Sequence, residues 1–327
     1  MPVVDRLDYT TPLLLRHNVA MYLWANGLRK VPKPPYEPFE RVDTPPNVAG
    51  SFFELAWWRV EAGKCGDKVA LIAPGLNGGA YAQPTRGMAR ALHEEGWDVA
   101  VWVYRDTGTN PTSVRRTYSG YGFDDLSAAV DRLGRDYDDI SLVGLSLGAN
   151  IVIQYVCALG DNPVSKAVVF SPPIAFGATV EHWSTSIAGR LAISPLAKRS
   201  MKKLVKRKAS STGVVTRDDV KAYRNVRVAS EADHYINSEF NEYPGASQYW
   251  QKAATLTALA TSTTTALLVV LAKDDYMLES HSYPHAENLA PSVTIELTTN
   301  GSHISFVPRG WKKHRYWSEQ RAIDHLS

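Results

Sequence analysis

Cysteine is scarce in this chain of 327 residues, which contains two. Cys65 lies in a Gly/Lys loop and Cys157 lies within an apolar run of helical pattern, so we expect neither a disulfide nor a metal site, and a reducing cytoplasm fits this composition. Long apolar runs are also lacking. Arg16, His17 and Asn18 interrupt the apolar patches near the N-terminus, so we expect no signal peptide and no membrane-spanning segment.

An excess of charge of one sign is absent as well. The chain has 36 Lys and Arg against 33 Asp and Glu, a net charge of +3, and it does not interleave basic with aromatic residues as base-stacking proteins do. We therefore expect no nucleic-acid partner. The hydrophobic content of 44% is enough to bury a large core, so residues 1–327 are predicted to form a single enzyme-sized α/β domain.

Short apolar stretches rich in β-branched residues alternate with helical patterns along the chain. Strands are predicted at 68–75, 97–105, 140–145, 166–173, 265–272 and 293–297, with helices after each of the first three. Strands that are apolar on both faces indicate a mostly parallel, doubly wound sheet with helices on both faces. Upstream, 51–62 is predicted to form antiparallel edge strands, after a proline-rich lead-in that runs extended over the surface.

Residues 174–264, called the cap segment below, interrupt this alternation. They contain no comparable strand, and they are far longer than a connection between a strand and a helix needs to be. We predict a helical cap inserted after the sixth strand, where lids over active sites are found. Five aromatic residues of the cap segment offer apolar surface either for a pocket wall or, as we favour for most of them, for packing on the core: Trp183, Tyr223, Tyr235, Tyr249 and Trp250.

The stretch "LVGLSLGAN" (142–150) places Ser146 between two glycines, where a predicted strand leads into a predicted helix. A sharp turn at this point exposes the serine oxygen as a nucleophile, although Gly-x-Ser-x-Gly alone also fits an ordinary strand-to-helix turn. A serine nucleophile needs an imidazole base and a carboxylate that orients it.

Candidates for both partners follow later strands in the order Ser, Asp, His. Asp274 and Asp275 come after the strand at 265–272, and His303 lies in a Gly/Ser loop after the last strand. These positions are at the carboxyl ends of parallel strands, where ligands bind in open α/β sheets. We favour Asp275 as the acid, with Asp274 shaping the turn or accepting backbone hydrogen bonds. Solvated-turn aspartates and a structural loop histidine are the alternatives.

An oxyanion hole formed by backbone N–H groups completes the predicted site. One donor is expected at Leu147, the residue after the nucleophile, and the other in the loop "APGLNGG", at Leu76 or, failing that, at Asn77. The same loop has neither a P-loop ending nor the spacing of a dinucleotide-binding fingerprint, so no cofactor is expected.

Together these motifs resemble the YheT-like branch of the α/β-hydrolase superfamily, related to the ABHD esterases. The resemblance covers nearly the whole chain, including "PLLLRHNVAMYLWANGLRKVPKPPYE", "GLSLGAN", "SQYWQKAA", "AKDD" and "GSHISF". It implies an α/β-hydrolase fold with Ser146 as nucleophile, Asp275 as acid and His303 as base. It also implies esters with short to medium acyl groups, or lipid-like esters, as substrates.

The chain departs from that family in three loops. Pro74-Gly75 stands where relatives usually have His-Gly, and residues 103–106 read Val-Tyr-Arg-Asp where Asn-Phe-Arg-Gly is usual. The histidine loop reads Gly301-Ser302-His303-Ile304-Ser305 where a second and a third glycine are common. Proline fixes φ and removes a donor, so these departures bear on the oxyanion loop and on substrate preference.

The sequence therefore predicts a serine hydrolase that cleaves carboxylic esters through an acyl-enzyme. An acyltransferase with the same triad and a catalytically lapsed binding protein are the alternatives, and the oligomeric state is left open. The basic run at 198–208 is interpreted as a solvated helix face, and the alternative is weak peripheral contact of the cap with an anionic membrane surface.

Overall fold

The computed structural model describes residues 3–44, 50–61, 63–76, 79–278, 283–310 and 315–327. These residues form one nine-stranded sheet with the order β1-β9-β8-β7-β6-β4-β5-β3-β2. The strands are β1 (Val3–Asp5), β2 (Glu40–Asp43), β3 (Phe52–Trp58), β4 (Lys68–Ala73), β5 (Asp98–Val103), β6 (Asp139–Leu145), β7 (Val164–Phe170), β8 (Ala266–Ala272) and β9 (Val293–Thr298). The α-helices are α1 (Asn18–Leu23), α2 (Gln83–Glu94), α3 (Phe123–Leu133), α4 (Leu147–Ala158), α5 (Phe176–Thr185), α6 (Ser194–Ser211), α7 (Arg217–Ala222), α8 (Ala229–Glu239), α9 (Ala246–Ala253) and α10 (Trp317–Leu326).

The predicted doubly wound sheet is confirmed. All neighbours pair in parallel except β2 with β3 and β3 with β5, and the six predicted core strands correspond to β4 through β9. β3 is antiparallel as expected, but the edge position outside it belongs to β2. Neither β2 nor β1 was predicted from the sequence, because strands of four and three residues are too short for a periodic signal.

Helices cover both faces of the sheet. Along β4, Val69 and Leu71 belong to one hydrophobic cluster, whereas Ala70 and Ile72 belong to the other. Side chains of α3 and α4 fill the first cluster, and side chains of α2 and α10 fill the second. Because successive strand side chains point to opposite faces, this division explains why the core strands are apolar at every position.

The cap segment lies between β7 and β8 and holds α5 to α9. β7 corresponds to the strand predicted at 166–173, so the insertion follows the predicted strand, although three strands rather than the expected two edge strands precede β4 and make β7 the seventh. Two amides of α4 tie the end of the cap segment to the core, since Asn150 Nδ2 and Gln154 Nε2 both donate to the carbonyls of Gly120 and Ala253. No helix in the described ranges is long and apolar enough to cross a bilayer.

The basic run at 198–208 is not wholly a solvated face, which corrects our interpretation. Arg199 and Lys203 on α6 are exposed, but the side chain of Lys208 is fully buried. Its Nζ donates to both carboxylate oxygens of Asp106, at 2.9 Å each, and to Thr112 Oγ1. Arg207 donates to backbone carbonyls after β5, including that of Asp106 at 3.2 Å. The end of α6 is therefore an anchor of the cap segment on the core.

Candidate active site

Ser146 occupies the turn between β6 and α4. Its backbone has φ 53° and ψ −113°, a conformation that non-glycine residues rarely adopt. A Cβ at Gly144 would lie 2.5 Å from Ala149 Cα, and one at Gly148 would lie 2.1 Å from the carbonyl oxygen of Ala73. The two glycines are therefore required because strand, turn and helix approach each other too closely for any side chain, as a nucleophile elbow demands.

The structure brings Ser146, His303 and Asp275 together. His303 Nε2 lies 2.7 Å from Ser146 Oγ, and His303 Nδ1 lies 2.9 Å from Asp275 Oδ2. The three residues are 4% to 8% exposed, so the hydrogen bonds operate largely out of water. Asp275 Oδ1 also accepts from the Met277 N–H at 3.0 Å, which holds the carboxylate in place. The imidazole thus bridges a hydroxyl donor and a buried carboxylate.

Asp274 has a different role from its neighbour. Its Oδ1 accepts the Ser302 N–H at 2.8 Å, and its own carbonyl accepts a hydrogen bond from Asn18 Nδ2. Burial raises the pKa of this carboxyl, an effect that the Ser302 hydrogen bond opposes. The side chain therefore organises the turn beneath His303.

Pro74 and Tyr104, which lie in two of the segments that depart from the resembled family, contact each other beside the predicted oxyanion loop. The buried Tyr104 hydroxyl donates to the carbonyl oxygen of Pro74, and the Gly148 N–H donates to the same oxygen at 3.1 Å. This loop is thereby tied both to β5 and to the start of α4. Leu76 and Leu147, the predicted oxyanion residues, lie next to Ser146 in the cavity walls, and the second choice, Asn77, lies outside the described residues.

Two cavities meet at Ser146. The inner cavity, of about 60 Å³, lies between Ser146 and the cap segment and is lined mainly by apolar side chains, among them Leu147 and Phe176. The outer cavity, of about 300 Å³, lies on the side of His303 and is lined by residues of α1, α2 and the cap segment. Ser146 and Leu76 line both, so the hydroxyl stands at their junction.

The five aromatic residues predicted for the cap segment differ in whether they line a cavity. Trp183 lines both cavities and Tyr249 lines the inner one, whereas Tyr223, Tyr235 and Trp250 are absent from either lining. Asp233, which lines the inner cavity from α8, was not among the predicted site residues. The sequence does contain a signal for this position. Asp233 lies at helical spacing from the apolar residues Ala229 and Ile236, so all three are predicted to share one face of a helix.

The positive φ angle of Ser302 predicts that a glycine at this position stabilises the protein. Ser302 has φ 50°, and its buried hydroxyl has no hydrogen-bond partner within the described chain. Ser302→Gly removes both the left-handed strain and the unsatisfied hydroxyl, so we expect the free energy of unfolding to rise by about 1 kcal/mol after the entropic cost of glycine. Urea unfolding followed by circular dichroism measures this change.

Ser305 provides the matched control for that substitution. Its hydroxyl donates to the His303 carbonyl at 2.9 Å, and its φ is not positive. Ser305→Gly is therefore expected to destabilise the protein. If both substitutions shifted the unfolding midpoint in the same direction, the strain at Ser302 would not be the cause.

Comparisons with known proteins identify the family of this chain. The family model described as "alpha/beta hydrolase fold" matches residues 69–309. The chain is 26% identical to "Putative esterase YheT" of Escherichia coli (strain K12) over 305 residues, covering 91% of this chain and 86% of that protein. It is 21% identical to the embryogenesis-associated protein EMB8 of Picea glauca over 244 residues, covering 73% of this chain and 53% of that protein.

Solved structures show the same fold. An esterase of Pyrococcus furiosus, Pf2001, superposes with a TM-score of 0.56 at 17% identity, covering 89% of this chain and 91% of that one. A serine hydrolase from a Cycloclasticus bacterium superposes with a TM-score of 0.55 at 13% identity, covering 88% and 95%. With the family match spanning most of the sheet and the elbow, the chain belongs to the α/β-hydrolase family and is similar to its YheT-like members.

Proposed function

We propose that this protein hydrolyses carboxylic esters with Ser146 as nucleophile, His303 as base and Asp275 as the orienting acid. The observation that carries the proposal is the bridge from Ser146 Oγ through the imidazole to Asp275, at 2.7 and 2.9 Å. Esterase names among the relatives support the same reaction class.

The reaction proceeds in two steps. Ser146 Oγ attacks the ester carbonyl while its proton passes to His303 Nε2, and the protonated imidazole then gives that proton to the departing alkoxide. Water next attacks the acyl-enzyme, its proton passes to His303, and the C–O bond to Ser146 breaks with return of the proton to Oγ. Asp275 stays ionised and stabilises the imidazolium. The Leu76 and Leu147 N–H groups are proposed to hold the oxyanion.

The two cavities suggest how an ester lies in the site. The leaving oxygen must reach His303 Nε2, and His303 lines the outer cavity alone. The alcohol part therefore takes the outer cavity and the acyl group takes the inner one. The small inner volume of about 60 Å³ favours short to medium acyl groups. Because the cap segment contributes walls to both, this arrangement also supports its interpretation as a cap.

Covalent labelling tests the proposal directly. A fluorophosphonate probe is expected to label the intact protein once, at Ser146, and Ser146→Ala and His303→Ala are expected to abolish labelling in mass spectra of folded protein. Failure of the intact, folded protein to react would overturn the hydrolase mechanism and favour a lapsed binding protein.

Acyl transfer is the second candidate, because the outer cavity beside His303 has room for an acceptor alcohol in place of water. Product analysis with p-nitrophenyl butanoate and added ethanol distinguishes the two. Butanoate as main product supports hydrolysis, whereas ethyl butanoate in large excess would establish a transferase.

We also propose weak contact of the cap with anionic lipid surfaces. Leu196, 53% exposed, lines the outer cavity at the start of α6, and Arg199, Lys203 and Lys206 continue its exposed face at helical spacing. Leu191, 77% exposed, lies beside them in sequence. Apolar side chains near a cavity mouth, with cations adjacent, suit a negatively charged bilayer.

Vesicle sedimentation tests this contact. The protein is expected to bind phosphatidylglycerol-containing vesicles more than pure phosphatidylcholine ones, to lose binding as salt rises, and to lose it in the triple variant R199Q/K203Q/K206Q. The matched control changes three exposed lysines elsewhere, in K64Q/K221Q/K252Q. Equal loss in both variants, or binding that salt does not alter, would contradict a specific patch.

A further inference from the structure

An acidic residue lines the inner cavity without any function in the proposed chemistry. One face of α8 forms part of the cavity wall, contributed by Ala229, Ala232, Asp233, Ile236 and Asn237. Of the described residues that line the cavity, Asp233 is the only one with an acidic or basic side chain. Most of the remaining cavity wall is apolar, so Asp233 is a wall residue that can orient a polar substituent of a substrate.

The contacts of Asp233 leave it with spare acceptor capacity. Oδ2 accepts the Trp250 indole N–H at 2.7 Å, and Oδ1 accepts Asn237 Nδ2 at 3.2 Å. Each carboxylate oxygen can accept two hydrogen bonds, so each has one further site. No lysine, arginine or histidine of the described residues forms an ion pair with this carboxyl.

Ionisation of this carboxyl falls in the neutral range. Burial raises the pKa of Asp233 to about 7, although the hydrogen bonds from Trp250 and Asn237 favour the charged form. The other titratable groups in the wall are the phenols of Tyr118 and Tyr249, and burial raises the pKa of both further above their ordinary value. Near neutral pH, Asp233 is therefore the wall group that changes charge.

A purely structural role does not explain why an acid stands here. A neutral acceptor would satisfy the Trp250 N–H without the cost of desolvating a carboxylate. Burial of the Asp233 carboxyl costs free energy while the cavity is empty. A substrate that donates a hydrogen bond to the free acceptor site would offset this cost.

We propose that Asp233 selects acyl chains that carry a hydroxyl group, which donates a hydrogen bond to its carboxyl oxygen. This inference rests on the proposed ester hydrolysis and names the substrate class of the same site. A hydroxyl fits both states of the group, because it donates to the carboxylate and accepts from the carboxylic acid. An ammonium group would have to shed its hydration in a small apolar cavity to meet a partner that is only partly ionised.

The test compares kcat/KM for matched p-nitrophenyl esters, namely hexanoate, 3-hydroxyhexanoate, 6-hydroxyhexanoate and 6-aminohexanoate. The ratio of two substrates at one pH cancels the ionisation of their shared catalytic groups, so it isolates Asp233. We expect one hydroxy ester to exceed hexanoate by about tenfold or more, the increment of a charge-assisted hydrogen bond. That ratio is expected to be larger at pH 8 than at pH 6, because the carboxylate is the stronger acceptor.

Three variants separate recognition of the substrate from a purely structural role of Asp233. Trp250→Phe removes the indole donor and keeps the carboxyl, so it should retain the preference for the hydroxy ester. The double variant D233L/W250F removes the carboxyl without leaving the indole unpaired, and it should lower the hydroxy-to-alkyl ratio about tenfold or more relative to W250F. Asp233→Asn, which keeps an oxygen acceptor for Trp250, should remove the pH dependence of the ratio.

The outcomes distinguish this inference from the proposed function. If hexanoate is hydrolysed but the ratio is the same in W250F and D233L/W250F, the inference is overturned and the hydrolase remains. Preference for the amino ester that depends on Asp233 would overturn the hydroxyl assignment. If no ester is hydrolysed and no fluorophosphonate label forms, both are overturned.

Discussion

Ser146→Ala is expected to lower kcat/KM for p-nitrophenyl butanoate by about five to six orders of magnitude, the scale on which loss of a triad serine acts. The reason is that no other hydroxyl of the described residues lies within hydrogen-bond distance of His303 Nε2, where Ser146 Oγ lies at 2.7 Å. Steady-state kinetics, with circular dichroism to verify folding, measures the loss. Residual activity within a hundredfold of the intact protein would contradict the assignment of the nucleophile.

The neighbouring aspartates provide the sharpest internal control. Asp275→Asn removes the carboxylate that accepts from His303 Nδ1 and should lower kcat by about four orders of magnitude. Asp274→Asn keeps an oxygen that can accept the Ser302 N–H, and Asp274 does not contact the imidazole, so its effect should stay within about tenfold. Similar losses in the two variants would show that the turn, rather than the charge on Asp275, determines activity.

Removal of the Lys208 ammonium is expected to lower the free energy of unfolding by about 3–5 kcal/mol, the cost of leaving a buried charge unpaired. In Lys208→Met the fully buried carboxylate of Asp106 loses the partner at 2.9 Å, and Thr112 and the Arg116 carbonyl lose a donor. Urea unfolding measures the difference. Lys206→Met, an exposed change two residues away, is the matched control and should alter stability by less than about 0.5 kcal/mol.

A double variant separates the ion pair from the packing around it. Asp106 has φ 65°, which asparagine tolerates well, so D106N/K208M removes both charges of this ion pair and strains the backbone no further. We expect this double variant to recover more than half of the stability lost in K208M, because replacing both members of a buried pair costs less than removing one. Recovery of none would show that Lys208 acts through packing of its methylene stem.

Prediction from sequence succeeded where local pattern and tertiary environment coincide. Strands buried on both faces are apolar at every position, so β4 through β9 were predicted from composition along the chain. The site followed from the same reasoning, because the carboxyl ends of parallel strands share one edge, and Ser146, Asp275 and His303 each follow such a strand. The two glycines around Ser146 are explained by close backbone approach, which the motif had indicated.

Prediction failed where the partner of a residue is distant in sequence. Lys208 looked like part of a solvated basic run, but its partner, Asp106, is 102 residues away. The family resemblance implied a glycine at position 106, and the φ of 65° at Asp106 fits that implication without revealing the lysine. The contact between Tyr104 and Pro74 likewise joins two departures from the family that had no visible connection in sequence.

The sequence by itself determined the fold class, the positions of the core strands along the chain and the three residues that meet at the site, since each depends on short-range periodicity and on the ends of parallel strands. Only the tertiary structure decided how the cap segment packs on the core, which cations of α6 are buried, and the placement of Asp233 in the wall of the inner cavity. The physical reason is that the cap packs through contacts between distant segments, and burial then determines whether a charged side chain is solvated, paired or aimed at a ligand.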